Sequence, residues 1–201
     1  MKAAILGGLV AVGVAVVVAL LTGAVHPADL GLGRPRPWPA TVAVALGWLA
    51  LLLAYSPMAD ALARRWFPER PKLAAFDPIR RSRIALAAGI VAAWVLGGFL
   101  EELALRGVVV QYLDRWLAPV LGAAPAATVA VLVAAAGAAV GHLYQGRRAA
   151  VVIFQLSALL GVLMVVSGHN LWAVILCHGL YDTVAFIRYA TGRSRYAPEK
   201  A

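Results

Sequence analysis

Six stretches of the chain are apolar for long enough to be read as helices crossing a bilayer, and short polar or proline-rich breaks separate them. Residues 3–21 follow a single Lys2 and read as the first span. They are longer than the h-region of a cleaved signal, although the small residues Gly23-Ala24 fit a cleavage site. Residues 26–39 hold Pro27, Pro35, Pro37 and Pro39 with Arg34 and Arg36, which forbids continuous helix and predicts a loop with Trp38 as an interface anchor. Residues 40–55 form the second predicted span. Residues 57–83, broken by Pro68, Pro71 and Pro78, form the main basic loop. A third helix is predicted from Ile84 to about Trp116, with Pro119 and Pro125 stopping it. The fourth runs over 128–142, the fifth over 149–166 and the sixth over 171–189, the last two joined by the turn Ser167-Gly168-His169-Asn170.

The basic residues test this assignment, because alternate loops of a membrane protein differ in Lys and Arg content. With the N-terminus inside, the inner segments hold Lys2, Arg64, Arg65, Arg70, Lys72, Arg80, Arg81, Arg83, Arg147, Arg148, Arg188, Arg193, Arg195 and Lys200. The outer segments hold Arg34, Arg36 and Arg115, and Arg106 stays in the membrane. Both termini are therefore expected on the cytoplasmic side of the cell membrane. The formal charge of +9 in a chain that is 63% apolar is the footprint of membrane orientation and not of a nucleic-acid partner. The fold class that follows is all-α, a polytopic transmembrane helical bundle of about six spans. It divides into a two-span N-terminal region, 1–83, with its basic cytoplasmic loop, and a region 84–201 that carries the chemistry. Cys177 is the lone cysteine, so no intramolecular disulfide forms. No internal repeat is visible.

Glu101, Glu102 and Arg106 lie inside the third apolar run, where each charge costs about 2.5–3.5 kcal/mol at a span's centre. Such a cluster needs a partner or a purpose. Glu102 and Arg106 are four apart and so are His178 and Asp182, so each pair shares a helix face. For Glu102 and Arg106 the spacing predicts an intrahelical ion pair. Glu101 points about 100° away from Glu102 on an α-helix and has no such local partner. Two adjacent carboxylates in a low-dielectric site titrate apart, which makes Glu101 a candidate general base. His142 ends a small-residue helix carrying Gly137 and Gly141 one turn apart. Alone it reads as a packing histidine; beside a second intramembrane histidine and an unpaired glutamate it reads as part of a site. His178 with Asp182 is either an oriented imidazole or a satisfied buried pair. Cys177 faces elsewhere as a packing residue. His26 and His169 sit in outer loops and receive no role, and Tyr144, Gln145, Tyr181 and Thr183 flank the site.

Glu101-Glu102-x-x-x-Arg106, Gly141-His142-Leu143-Tyr144-Gln145-Gly146 and Leu171-Trp172 followed by His178-x-x-x-Asp182 resemble, in order, the three motifs of the CAAX-protease and bacteriocin-processing (CPBP) family. The resemblance covers about residues 99–186. It implies an intramembrane endopeptidase acting on a hydrophobic peptide or membrane-protein substrate within the lipid bilayer, in peptide maturation or bacteriocin self-immunity. By the family pattern Glu101 activates water, His142 helps hold it, and His178 with Asp182 stabilises the oxyanion, while Glu102 and Arg106 brace the site. In the older metalloprotease reading His142, His178 and Asp182, with Glu101, hold a divalent metal such as zinc; the tight His-Glu-x-x-His spacing is absent.

Three positions depart from the family pattern. Ala138 stands where phenylalanine is frequent, Leu105 where an aromatic precedes the arginine, and an ionised Asp182 cannot donate to an oxyanion. Depth is a further difficulty. Glu101 lies about 26 Å along its helix from Ile84, whereas His142 ends a span at its cytoplasmic end, so the third helix must start low, tilt or bend, with Gly97-Gly98 as the candidate bend. Two other functions remain compatible with the sequence: a non-catalytic membrane scaffold or immunity protein of the same fold, and a proton or ion pathway.

Overall fold

The computed structural model describes residues 2–33 and 37–196, with the backbone alone at 2–7, 9 and 10. Arg34, Arg36, Lys200 and the side chain of Lys2 lie outside the described residues. The chain is an all-α helical bundle and a multi-pass membrane protein. Its long helices are α1 (Lys2–Leu21), α2 (Trp38–Trp66), α3 (Arg83–Leu121), α4 (Ala123–Gly141), α5 (Arg147–Val166) and α6 (Leu171–Ala190). Helices α2 to α6 are each long and apolar enough to cross a membrane, and α1 contributes a shorter apolar stretch, Ala11–Leu21. No strand occurs among the described residues.

One core ties the helices together. Leu52 of α2, Leu103 and Val110 of α3, Ala134 of α4, Leu163 and Met164 of α5 and Val174 and Cys177 of α6 are all buried in a single cluster, joined by Leu30 from the 27–30 turn. Outward-facing Val91, Val95, Val120, Val162 and Val166 stay exposed, an apolar surface suited to lipid. Tryptophans help fix helix positions: Trp48 Nε1 donates to the Leu159 carbonyl at 3.0 Å, and Trp38 packs against Trp172 at 5.8 Å between ring centroids.

The span expected to end at Tyr55 continues through Pro57 to Trp66, so Arg64 and Arg65 lie on the last turn of α2 and not in a loop. Proline costs the helix one hydrogen bond. Packing outweighs it here, because Ala59 and Ala63 are fully buried against Val152 of α5 and Asp60 pairs with Arg148 at 2.7 Å. The expected stop at Pro119 also fails, since Pro119 lies inside the last turn of α3. The chain then reverses at Gly122 alone, whose φ of +83° suits glycine, and Pro125 falls in the first turn of α4, where its missing N–H costs nothing.

Beyond α6 the chain folds back to the α2–α5 pair. Arg195 Nη1 donates to the Ser56 carbonyl at 3.3 Å, and the Tyr196 hydroxyl donates to Asp60 Oδ1. Burial, and then the hydrogen bond to Asp60, push the Tyr196 phenol above its ordinary 10.0, so this link persists at any physiological pH.

Candidate active site

From Ala93 to Val110, with a single α-type residue at Glu102, α3 is wound as a π-helix. Such winding is rare, forms mostly as one turn, and gathers at functional sites. The i→i+5 turn is wider than an α turn and therefore advances less per residue. Neighbouring residues also turn less about the axis than in an α-helix, yet Glu101 and Glu102 still meet different neighbours.

Glu102 points into the bundle and is wholly buried. Its Oε1 accepts from Arg106 Nη1 at 2.9 Å, as the i,i+4 spacing predicts. Arg106, itself 1% exposed, also donates through Nη2 to the Ser157 carbonyl at 2.8 Å and to the Ser157 hydroxyl, which locks α3 to α5. Glu102 Oε1 makes a second contact, with His178 Nδ1 on α6. Ser157, Arg106, Glu102 and His178 thus form one continuous chain of charged and polar groups across three helices.

His178 Nε2 stands 3.5 Å from Asp182 Oδ2, so both ring nitrogens face carboxylates. Exposure rises along the row, from 0% at Glu102 to 16% at His178 and 26% at Asp182, so the site opens on the Asp182 side. The charges of Glu101, Glu102, His178 and His142 all act on Asp182, and Glu101 also acts on His178. Residues that start on three helices therefore meet at one level, and the depth mismatch expected from a straight α-helix does not arise. Glu101 is half-buried and has no hydrogen bond or ion pair among the described residues. His142 follows the last turn of α4; its Nδ1 lies 2.9 Å from the Ala138 carbonyl. A carbonyl only accepts, so Nδ1 carries a proton, and in the neutral ring Nε2 is the acceptor. Tyr144 stacks on this ring at 6.0 Å.

Glycines let α3 and α6 approach. A Cβ on Gly98 would stand 3.3 Å from the Gly179 Cα, and one on Gly179 would collide with the Trp94 ring, which Thr183 holds through a 3.0 Å hydrogen bond from Trp94 Nε1. A Cβ on Gly97 would crowd Asp182 Oδ2 at 3.1 Å. Gly179→Ala is therefore expected to push α6 off α3, to lower stability by about 1–3 kcal/mol in thermal unfolding of the purified protein, and to weaken the Glu102–His178 contact. Thr183→Val, which removes only the Trp94 anchor, has the smaller effect.

Several of these contacts carry no sequence signal. Ser157 is one hydroxyl in an apolar span, and Gly98 and Gly179 are isolated glycines on different helices. Gly97-Gly98 draws attention only as a bend, and the Glu102–His178 contact is invisible because no spacing rule links residues 76 apart. Tyr181 lies at the site's edge, its hydroxyl 3.1 Å from Ser56 Oγ, and Cys177 is fully buried in the core. Ala138 and Leu105 are buried in that same core, so both departures from the family pattern are packing changes.

The donor set does not fit a resident metal. Among the described residues no group of three or more His, Cys, Asp or Glu side chains could hold one. His178 spends Nδ1 on Glu102 and His142 spends Nδ1 on the Ala138 carbonyl, so each ring keeps only Nε2, on different helices, where zinc needs several converging protein ligands. No curated protein and no solved structure matches the chain. Residues 83–184 match the family described as type II CAAX prenyl endopeptidase Rce1-like, over the segment that supplies Glu101, Glu102, Arg106, His142, His178 and Asp182. With half the chain inside that match and the family's three motifs on adjoining helices, this protein belongs to the Rce1-like family of type II CAAX prenyl endopeptidases.

Proposed function

We propose that the protein is an intramembrane endopeptidase in which Glu101 is the general base. Water held between Glu101 and His142 Nε2 gives its proton to the Glu101 carboxylate as its oxygen attacks the scissile carbonyl carbon. The carbonyl oxygen, now an oxyanion, accepts from His178 Nε2–H. Asp182 orients that imidazole, and Glu102, held by Arg106, fixes its other nitrogen. When the intermediate collapses the C–N bond breaks, and the proton taken by Glu101 passes to the leaving amine. The observation that carries this reading is the division of labour between the two glutamates: Glu102 is buried and bonded on two sides, whereas Glu101 is accessible, unpaired and beside the His178–Asp182 pair.

The substrate is a hydrophobic peptide or a membrane protein, reached from the bilayer. Both termini lie on the cytoplasmic side of the cell membrane, in keeping with the basic residues of the inner segments. The test is cleavage of membrane-anchored peptides by the purified protein in proteoliposomes, with and without a strong chelator. Cleavage at one bond that continues after metal removal supports the glutamate mechanism. Loss of cleavage on chelation, restored by zinc, overturns it in favour of a metallopeptidase. Binding of the peptides without turnover assigns the chain to the non-catalytic scaffold class.

A further inference from the structure

The segment 67–82, between α2 and α3, folds back against the bundle at its basic end. Pro68, Pro71 and Pro78 bar a continuous helix there, and the chain forms only a 3-10 turn, Ala74–Phe76, and one helical turn, Pro78–Arg81. A connection of this kind is ordinarily a surface loop. Here it is a strap tied across other elements.

Its ties are to the ends of the helices that carry the site. Lys72 N–H donates to the Gln145 carbonyl at 2.8 Å, three residues past His142. On α6 the Tyr189 hydroxyl donates to Asp77 Oδ1 at 2.8 Å, and the Arg80 guanidinium lies over the Tyr189 ring at 5.7 Å. Phe76 packs against Phe186 with ring centroids 5.5 Å apart. Ile79 is buried in the seam between α3 and α6: a Cβ on Gly89 would meet Ile79 at 3.2 Å and Phe186 at 3.3 Å.

The same seam holds the chemistry a little further along. Phe186 follows Asp182 by four residues, so it shares that face of α6 about 6 Å nearer the basic end. On α3, Gly89 precedes by eight residues Gly97, whose Cβ would crowd Asp182. The strap therefore runs from the turn after His142 to the α3–α6 seam below Asp182, the side on which the row from Glu102 to Asp182 is most exposed. It borders the entrance. Its attachments are few and separated, and segments so held open at lower free energy than a packed core.

We propose that the strap 72–80 is a movable wall of the site's entrance, that Tyr189 is its latch, and that in the latched position it limits how bulky a chain reaches Glu101 from the basic end. As a device for substrate selection it rests on the endopeptidase reading. As a control of access to Glu101 it does not.

The test uses the full-length protein in nanodiscs, carrying Cys177→Ala and Glu101→Cys so that the thiol at the site is the one cysteine. Two water-soluble reagents label it, the small N-ethylmaleimide and a bulky polyethylene-glycol maleimide. Tyr189→Phe keeps the ring beneath Arg80 and removes the bond to Asp77. It is expected to raise the rate of bulky labelling about fivefold and to leave the small reagent's rate nearly unchanged. Phe76→Ala, which cuts away the contact with Phe186, is expected to raise bulky labelling further when added. Bulky labelling unchanged in Tyr189→Phe overturns the proposal, and that single variant decides if the double one misfolds. An equal rise for both reagents reports a loosened bundle and also overturns it. Turnover plays no part in this measurement, so its failure is distinct from a failure of the endopeptidase reading. With Glu101 and Cys177 restored, Tyr189→Phe is expected to lower KM for a peptide with a bulky tail at an unchanged kcat. A fall in kcat for bulky and slim peptides alike would make Tyr189 a folding residue and not a latch.

Discussion

Glu101→Gln is expected to lower peptide cleavage roughly 10²–10⁴-fold while the protein stays folded, the range a single general base supplies. Glutamine keeps the size of the side chain and removes its capacity to take a proton. Glu101 is half-buried and makes no hydrogen bond or ion pair among the described residues, so its loss disturbs little packing. The measurement is the initial rate of cleavage in proteoliposomes beside thermal unfolding of the same preparation. Glu101→Ala is expected to match it, since neither side chain can act as a base. Undiminished cleavage by either variant would remove Glu101 from the chemistry.

Arg106→Leu should have the largest effect on stability. Among the described residues Arg106 is the one arginine or lysine paired with Glu102, and it bonds Ser157 twice across the helix interface. Removing one partner of a buried ion pair leaves the other charge without compensation and costs about 3–5 kcal/mol. Thermal unfolding in detergent reads this directly. The double variant Arg106→Leu with Glu102→Leu removes both charges and should regain most of the loss, because buried pairs are often replaceable by apolar groups of similar volume. Cleavage should not return with it, since His178 has then lost the carboxylate that fixes Nδ1. Stability and activity therefore separate in this pair of variants, and a double variant that recovers both would show that Glu102 serves the ion pair alone.

Much of this arrangement was legible in the sequence because membrane chains expose their exceptions. A charge in an apolar run is easily seen, and i,i+4 spacing named the Glu102–Arg106 and His178–Asp182 pairs correctly. Boundaries were harder where burial competes with proline: Pro57 and Pro119 look like breaks, yet Ala59, Ala63 and the Asp60–Arg148 pair carry α2 onward. The link from Glu102 to His178 was not legible at all, because it joins residues far apart in sequence across the close approach of Gly98 to Gly179.

The single-residue reversal at Gly122 works as a ruler. Glu101 stands twenty-one residues before it and His142 twenty residues after it, on the two limbs of one hairpin. Limbs of nearly equal residue count, measured from a shared bend, keep the two side chains near one depth wherever the hairpin sits in the bilayer, with the π-wound part of the first limb advancing less per residue. Register, more than composition, is then what the segment between them must preserve. Lipid-facing substitutions leave both limb lengths intact, whereas each residue inserted into or deleted from one α-helical limb offsets Glu101 from His142 by about 1.5 Å and turns it off its face.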